Sequence, residues 1–219
     1  LIMLLIGTTL GLANGLAVSL LRMPPFMVTL ATMMGFSGFA VWFTQSRALY
    51  GLPASFNALG GHTLTAFVIV ASCAVSVHLL LSRSLIGRWW YAIGHNDRTA
   101  HVSGVPVHAT RIAAYAACGL LASLAGVLYT GQAETGSPVL GQRILLDVIG
   151  ATVIGGTSLF GGRGKVLWTC YGVLFLALID NSLNLLSLSS FTITMVKGGV
   201  ILLAAVSDAW RRRNGALPA

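Results

Sequence analysis

The sequence predicts an all-α fold, a polytopic transmembrane helical bundle with about seven membrane segments in a single domain, residues 1–219. Three observations predict it. Hydrophobic residues make up 56% of the chain and charged residues only 8%, where a soluble domain carries about 25%. The apolar runs have helical length and lack the period-2 alternation of a membrane barrel. The cations behind the net charge of +8 stand between the apolar runs and at the C-terminus, where the positive-inside rule puts them. That placement argues against a nucleic-acid partner, because such a patch needs a solvated basic face.

Residues 1–21 are uncharged and as a helix measure about 31 Å, enough for a bilayer core of about 30 Å. Gly7, Gly11 and Gly15 recur every fourth residue beside Asn14, a small-residue face suited to close helix packing. Arg22 and the Pro24-Pro25 pair end this span and redirect the chain. Residues 26–44 form the second span. Residues 45–62, with Gly51, Pro53, Asn57 and Gly60, read as a loop.

Residues 63–81 are the third span. The longest polar connection follows, 82–111, with Arg83, Arg88, Arg98 and Arg111 against Asp97 alone. Trp89, Trp90 and Tyr91 within it suit a membrane–water interface. Residues 112–131 are the fourth span, with Ala122 and Gly126 at small-xxx-small spacing.

The fifth segment, 147–165, organises the chain. Its uncharged run of 15 residues, 148–162, is shorter than the roughly 20 a straight span needs. Paired glycines at Gly155–Gly156 and Gly161–Gly162 permit sharp reversal. A short or broken membrane helix running into a tight basic turn at Arg163 and Lys165 is expected. Residues 166–186 are the sixth segment, interrupted by Asp180, Asn181 and Asn184, and 191–209 the seventh. The tail, 210–219, opens on the cluster Arg211-Arg212-Arg213.

With the C-terminus on the cytoplasmic side, alternating spans place Arg22, the 82–111 loop and Arg163/Lys165 inside. The loops carrying Arg47 and Glu134/Arg143 fall outside. This asymmetry supports seven crossings. It also starts the chain outside, in the middle of an apolar run, so the sequence reads as an N-terminally truncated fragment without a cleavable signal peptide.

Catalytic motifs are missing. The glycine-rich GGRGK stretch has Leu159 and Val166 where a phosphate-cradling P-loop needs Gly and Ser or Thr. Cys73, Cys118 and Cys170 stand in different apolar runs without metal-ligand spacing. His95, His101 and His108 share one loop and read as solvated or interfacial residues. Neither a metal nor a cofactor is expected. The charges inside apolar segments are the informative exceptions. Lys197 costs about 2.5–3.5 kcal/mol at a helix centre, so it should seek Asp180 or Asp147. Asp180 and Asn184, one turn apart with Asn181 beside them, make a polar stripe. Two readings stay open for these five residues: a translocation pathway or gate, and interhelical pairing.

Several stretches carry a resemblance: VIGGTSLFGGRGKV at 153–166, NSLNLL at 181–186, SSFTITMVKGGVILLAAVSD at 189–208, AIGHNDRTAHVSGVPV at 92–107 and NGLAVSLLRMPPFMVTLATM at 14–33. Together they resemble the permease subunits of bacterial ABC importers for monosaccharides such as ribose, xylose or galactose. Branched-chain amino acid permeases resemble it less. The resemblance implies a non-enzymatic permease in the bacterial inner membrane, in contact with lipid, with about ten spans, some three of them upstream of this chain. It further implies a second permease copy or homologue, a cytoplasmic ATP-binding subunit and a periplasmic sugar-binding protein. The 82–111 loop would hold the coupling helix that docks on the ATPase, with Gly94, Asn96, Ser103 and Gly104 as the matching positions. The chain departs from the family at Asp97-Arg98-Thr99, Leu145, Trp168 and Asp180. An ion-coupled secondary transporter is the rival reading, distinguished by its having no need of a docking loop.

Overall fold

A computed structural model describes residues 1–141, 144–158 and 161–213. Arg143 and the end of the expected tail, 214–219, lie outside the described residues. Among the described residues the chain forms ten helices, in two compact units, Leu1–Gln142 and Arg143–Ala219. An isolated antiparallel bridge, Leu49 to Gly136, joins two loops of the first unit.

The first unit opens with α1, Ile2–Leu20. Arg22 then adopts a left-handed backbone, φ 53°, and Pro25 starts α2, Pro25–Thr44. Proline suits that position because its missing N–H has no partner in a first turn anyway. A left-handed Gln45 closes α2, with Ser46 N–H donating to the Val41 carbonyl at 3.0 Å. The expected 45–62 loop contains a short helix, α3, Ala54–Gly61, and then α4 runs Thr63–Arg83.

The 82–111 connection, where the resemblance implies one helix, holds two. It folds as α5, Leu85–His95, and α6, Asp97–Val102. The Ser84 hydroxyl caps α5 by accepting from Gly87 N–H at 3.0 Å. A Cβ on Gly87 would stand 2.5 Å from the carbonyl oxygens of Leu80 and Leu81, so only glycine allows the chain to fold back there. Trp90 Nε1 donates to the Thr110 carbonyl at 2.8 Å and ties α5 to the last helix of the unit, α7, Val107–Ala133. That helix begins earlier than the charge at Arg111 suggests. At about 40 Å it exceeds the hydrocarbon thickness of about 30 Å, so its polar first turns can extend past the apolar layer.

The core of this unit is the α1–α7 interface, its most extensive helix contact. A Cβ on Gly11 would lie 2.3 Å from the Tyr115 carbonyl oxygen, and one on Gly119 2.2 Å from that of Gly7. The glycine face of α1 is therefore a packing face. On α7 the expected Ala122/Gly126 pair is not its counterpart, since Gly126 has open space where a Cβ would go. Gly119 meets α1 instead, and Gly131 meets Gly60 of α3. Gly119 and Gly126 are seven residues apart and so share a face of α7, but α1 comes close only at Gly119; spacing alone does not say where along that face the contact falls.

The second unit holds α8, Ile144–Ile154, α9, Val166–Leu185, and α10, Ser190–Arg213. As a helix of 11 residues, α8 is about 16 Å long and too short to cross alone. The glycines are the reason. Gly156 takes φ 71° and donates to the Val153 carbonyl, and Thr157 N–H donates to Thr152 at 2.9 Å, which together end the helix in a Schellman turn. Gly161 and Gly162 also have positive φ, and the Thr157 and Thr169 hydroxyls pair at 3.1 Å across the turn into α9. Antiparallel packing of α8 on α9 repeats the glycine device: a Cβ on Gly172 would stand 2.1 Å from the Ala151 carbonyl oxygen.

Among the described residues five helices are long and apolar enough to cross a membrane: α1, α2, α4, α7 and α9. Two shorter apolar stretches, α8 and residues Ser190–Val206 of α10, account for the other expected segments.

Overpacking a tight helix contact costs about 1–3 kcal/mol. Gly11→Ala and Gly172→Ala are expected to lower the midpoint of thermal aggregation. Gly126→Ala, with free space, should leave it unchanged or raise it slightly, because Ala favours helix by about 1 kcal/mol. Scanning fluorimetry of the three variants in detergent checks the ordering.

Candidate functional site

Two constellations gather the residues singled out in the sequence, one in each unit. In the second unit, Lys197 of α10 reaches both candidate carboxylates. Its ammonium donates to Asp147 Oδ1 and Oδ2 of α8 at 3.1 and 3.2 Å and pairs with Asp180 of α9 at 2.5 Å. The Lys197 side chain is 15% exposed, and those of Asp147 and Asp180 are 43% and 37% exposed.

Helix direction explains the meeting. Asp147 is in the first turn of α8, Asp180 near the end of α9, and Lys197 two turns into α10. All three sit toward the end of this unit opposite the glycine turn. One helical turn away, the same three helices form an apolar layer: a Cβ on Gly150 would press on Ile201 and touch Leu176. Thus residues 147, 180 and 197 make an ionic layer stacked on an apolar one. With both carboxylates ionised the cluster carries one net negative charge. Asn184 is partly removed from the polar stripe, because its Nδ2 donates back to the Asp180 carbonyl at 2.8 Å. Asn181 is exposed.

In the first unit, three of the four positions matched by resemblance surround α6, and Gly94 precedes them in the last turn of α5. Asn96 is the N-cap of α6, its Oδ1 accepting from the N–H groups of Arg98 at 3.0 Å and Thr99 at 3.1 Å. The Ser103 hydroxyl donates to the Thr99 carbonyl at 2.9 Å. Gly104 has φ 81°, and Val105 N–H donates to the Ala100 carbonyl at 3.1 Å, a second Schellman turn. These residues define where the short helix starts and stops. Ala100 is its buried anchor, whereas Val102 is 87% exposed. Asp97 and Arg111 pair across α6 and α7.

Sequence reading missed the fully buried Ser19, whose Oγ shares a hydrogen bond of 2.8 Å with His108 Nδ1. No local pattern links residues 89 positions apart. His108 was expected to be solvated or at the interface, like His101.

The fold defines a multi-pass helical membrane protein with a short, largely exposed helix, α6, between two of its long apolar helices. Comparison with known proteins places it: residues 1–205 match the model of the family described as branched-chain amino acid transport system / permease component, and the chain belongs to that family. It is 39% identical over 202 residues to the ribose import permease protein RbsC of Bacillus subtilis, covering 89% of this chain and 62% of that one. It is 34% identical over 215 residues to RbsC of Escherichia coli K12, covering 94% and 66%. The L-arabinose transport system permease protein AraH of the same strain is 34% identical over 205 residues, covering 91% and 62%. The chain thus spans just under two thirds of the length of each. No solved structure gives a significant match.

Removing one partner of a buried ion pair costs about 3–5 kcal/mol, and exposure of the two carboxylates reduces that to about 1–3 kcal/mol here. Lys197→Met is therefore expected to lower thermal stability, and adding Asp147→Asn and Asp180→Asn to restore most of it. Melting curves of the single and triple variants measure this. A cluster with a transport role would show a triple variant that is stable yet inactive in solute uptake.

Proposed function

We propose that this chain is the core of a permease subunit in an ATP-driven importer that moves a monosaccharide across the bacterial inner membrane. The observation that carries the reading is α6, a short helix capped at both ends with its outward side chains exposed, in a chain whose relatives are named for ribose and arabinose transport. The protein makes no covalent change. ATP hydrolysis belongs to a cytoplasmic subunit, and a periplasmic sugar-binding protein delivers the solute to a pair of permease copies or homologues.

In this reading α6 is the coupling helix, and Gly94, Asn96, Ser103 and Gly104 set its position against the ATPase. The physical contribution of the last three is backbone geometry: they hold α6 at a defined length, so that Val102 and its neighbours present one rigid face. ATP can shift the permease between orientations only by binding one of them better, and a rigid helix transmits that difference where a loose loop would absorb it. The C-terminus and the 82–111 segment share the cytoplasmic side. Lys197, Asp147 and Asp180, near the opposite end of their unit from Arg163 and Lys165, then lie toward the outer side, with Asn181 and Asn184 available to sugar hydroxyls. The family description names branched-chain amino acids and keeps that solute class as the second reading.

Val102→Glu changes an exposed side chain and should leave the fold intact. It is expected to abolish co-purification with the importer's cytoplasmic ATP-binding subunit and to reduce sugar uptake at least about tenfold, an interface loss of about 1.4 kcal/mol or more. Gly104→Ala tests backbone geometry separately, because it strains a position at φ 81°. Competition of labelled ribose uptake by leucine decides between the solute classes. Uptake driven by an ion gradient without any ATPase would overturn the importer reading.

A further inference from the structure

A cavity of about 780 Å³ opens beneath α6, walled by the end of α1, the reversal into α2, α6 itself and the first turns of α7. Arg22, Arg98, Arg111, His101 and His108 line it against one carboxylate, Asp97. Asp97 is already paired with Arg111. Arg22 and Arg98 are exposed and have no ion pair among the described residues. The cavity therefore holds two uncompensated guanidinium groups before either histidine is counted. Both arginines are exposed, so water screens their mutual repulsion, and an anion among them would gain from both charges.

The lining also includes Val18, Met23 and Val107, so an apolar wall adjoins the cations. Arg22 directly follows the end of an apolar span, which puts the cavity at a membrane–water boundary. Its φ of 53° is an uncommon conformation for a residue other than glycine, and it is held by the turn that forms one wall. Guanidinium groups match the oxygens of a phosphate through paired N–H donors. Basic pockets at the ends of membrane helices suit anionic headgroups for the same reason.

We propose that this cavity binds a phosphate group, carried by the headgroup of an anionic phospholipid or by soluble phosphate. The apolar wall beside the cations favours the lipid. The site is independent of which solute the chain transports and does not rest on the importer reading.

The test uses the full chain purified in detergent and offered phosphatidylglycerol and zwitterionic phosphatidylethanolamine in equal amounts, with retained lipid measured by mass spectrometry. Preferential retention of phosphatidylglycerol is expected. Arg22→Gln combined with Arg98→Gln should lower it about tenfold or more, each cation near the surface contributing on the order of a factor of five. Arg83→Gln with Arg88→Gln, equally basic positions outside the cavity, should leave it unchanged, which separates the site from general surface charge. Should the double variant fail to fold, Arg98→Gln alone is expected to give a smaller loss in the same direction. Excess inorganic phosphate that displaces the lipid, and itself binds by phosphorus NMR, would identify soluble phosphate as a competent ligand. Lipid retention unaffected by phosphate would identify the headgroup as the ligand. Equal retention of the two lipids with no phosphate binding overturns the proposal, as does undiminished phosphatidylglycerol retention in a folded Arg22/Arg98 variant.

Discussion

The approach of one helix backbone to another at glycine positions is the constraint on which both units depend. Lipid is as apolar as a leucine side chain, so helices in a bilayer gain little by burying apolar groups against each other. Here few residues are buried, and many large apolar side chains, among them Phe43, Leu64 and Phe191, are more than two thirds exposed. What joins the helices is close van der Waals contact at Gly7, Gly11 and Gly119 in the first unit and at Gly155 and Gly172 in the second. At each of these a single methyl group would stand under 3.0 Å from a neighbouring carbonyl oxygen. Such contacts are rigid, so the elements at their ends are held in place.

Charge follows the same logic of forced partnership. A lysine in an apolar helix must be compensated, and three short arms from three helices meet in the layer of Asp147, Asp180 and Lys197. The apolar layer of Gly150, Leu176 and Ile201 one turn away brings the helices to the spacing that lets those arms reach. At the other extreme, the arginines around α6 are only partly compensated: Arg111 has Asp97, while Arg22 and Arg98 keep their charge available. Paired charges hold helices together, whereas Arg22 and Arg98 have no ion pair among the described residues.

The stretch 92–107 shows how a family motif acquires a physical meaning. Its recognisable positions set backbone geometry. Asn96 starts α6, Ser103 bonds its last turn and Gly104 ends it with a backbone conformation that disfavours a side chain. A capped helix of six residues is otherwise marginal, because nucleating a turn is costly and short helices rarely persist in water. Capping, the buried Ala100 and the Asp97–Arg111 pair supply what its length does not. The side chains left facing outward, Val102 among them, are free of that structural duty.

Composition and the lengths of the apolar runs determined, by themselves, that this is a helical membrane protein, and near enough where its spans lie. Both signals are local and survive without any knowledge of packing. Glycine pairs marked the break after α8, because a positive φ is a property of one residue. Lys197 announced its need for a carboxylate through the cost of burying it alone. Sequence did not distinguish the packing glycines of α7 from Gly126, nor give the number and bounds of the helices at 85–102, where the resemblance implied one, nor pair Ser19 with His108. Those depend on which face of a helix, and which point along it, meets which neighbour. Only tertiary structure decides that, because rotation of a helix about its axis leaves the spacing of its residues unchanged while altering every contact it makes.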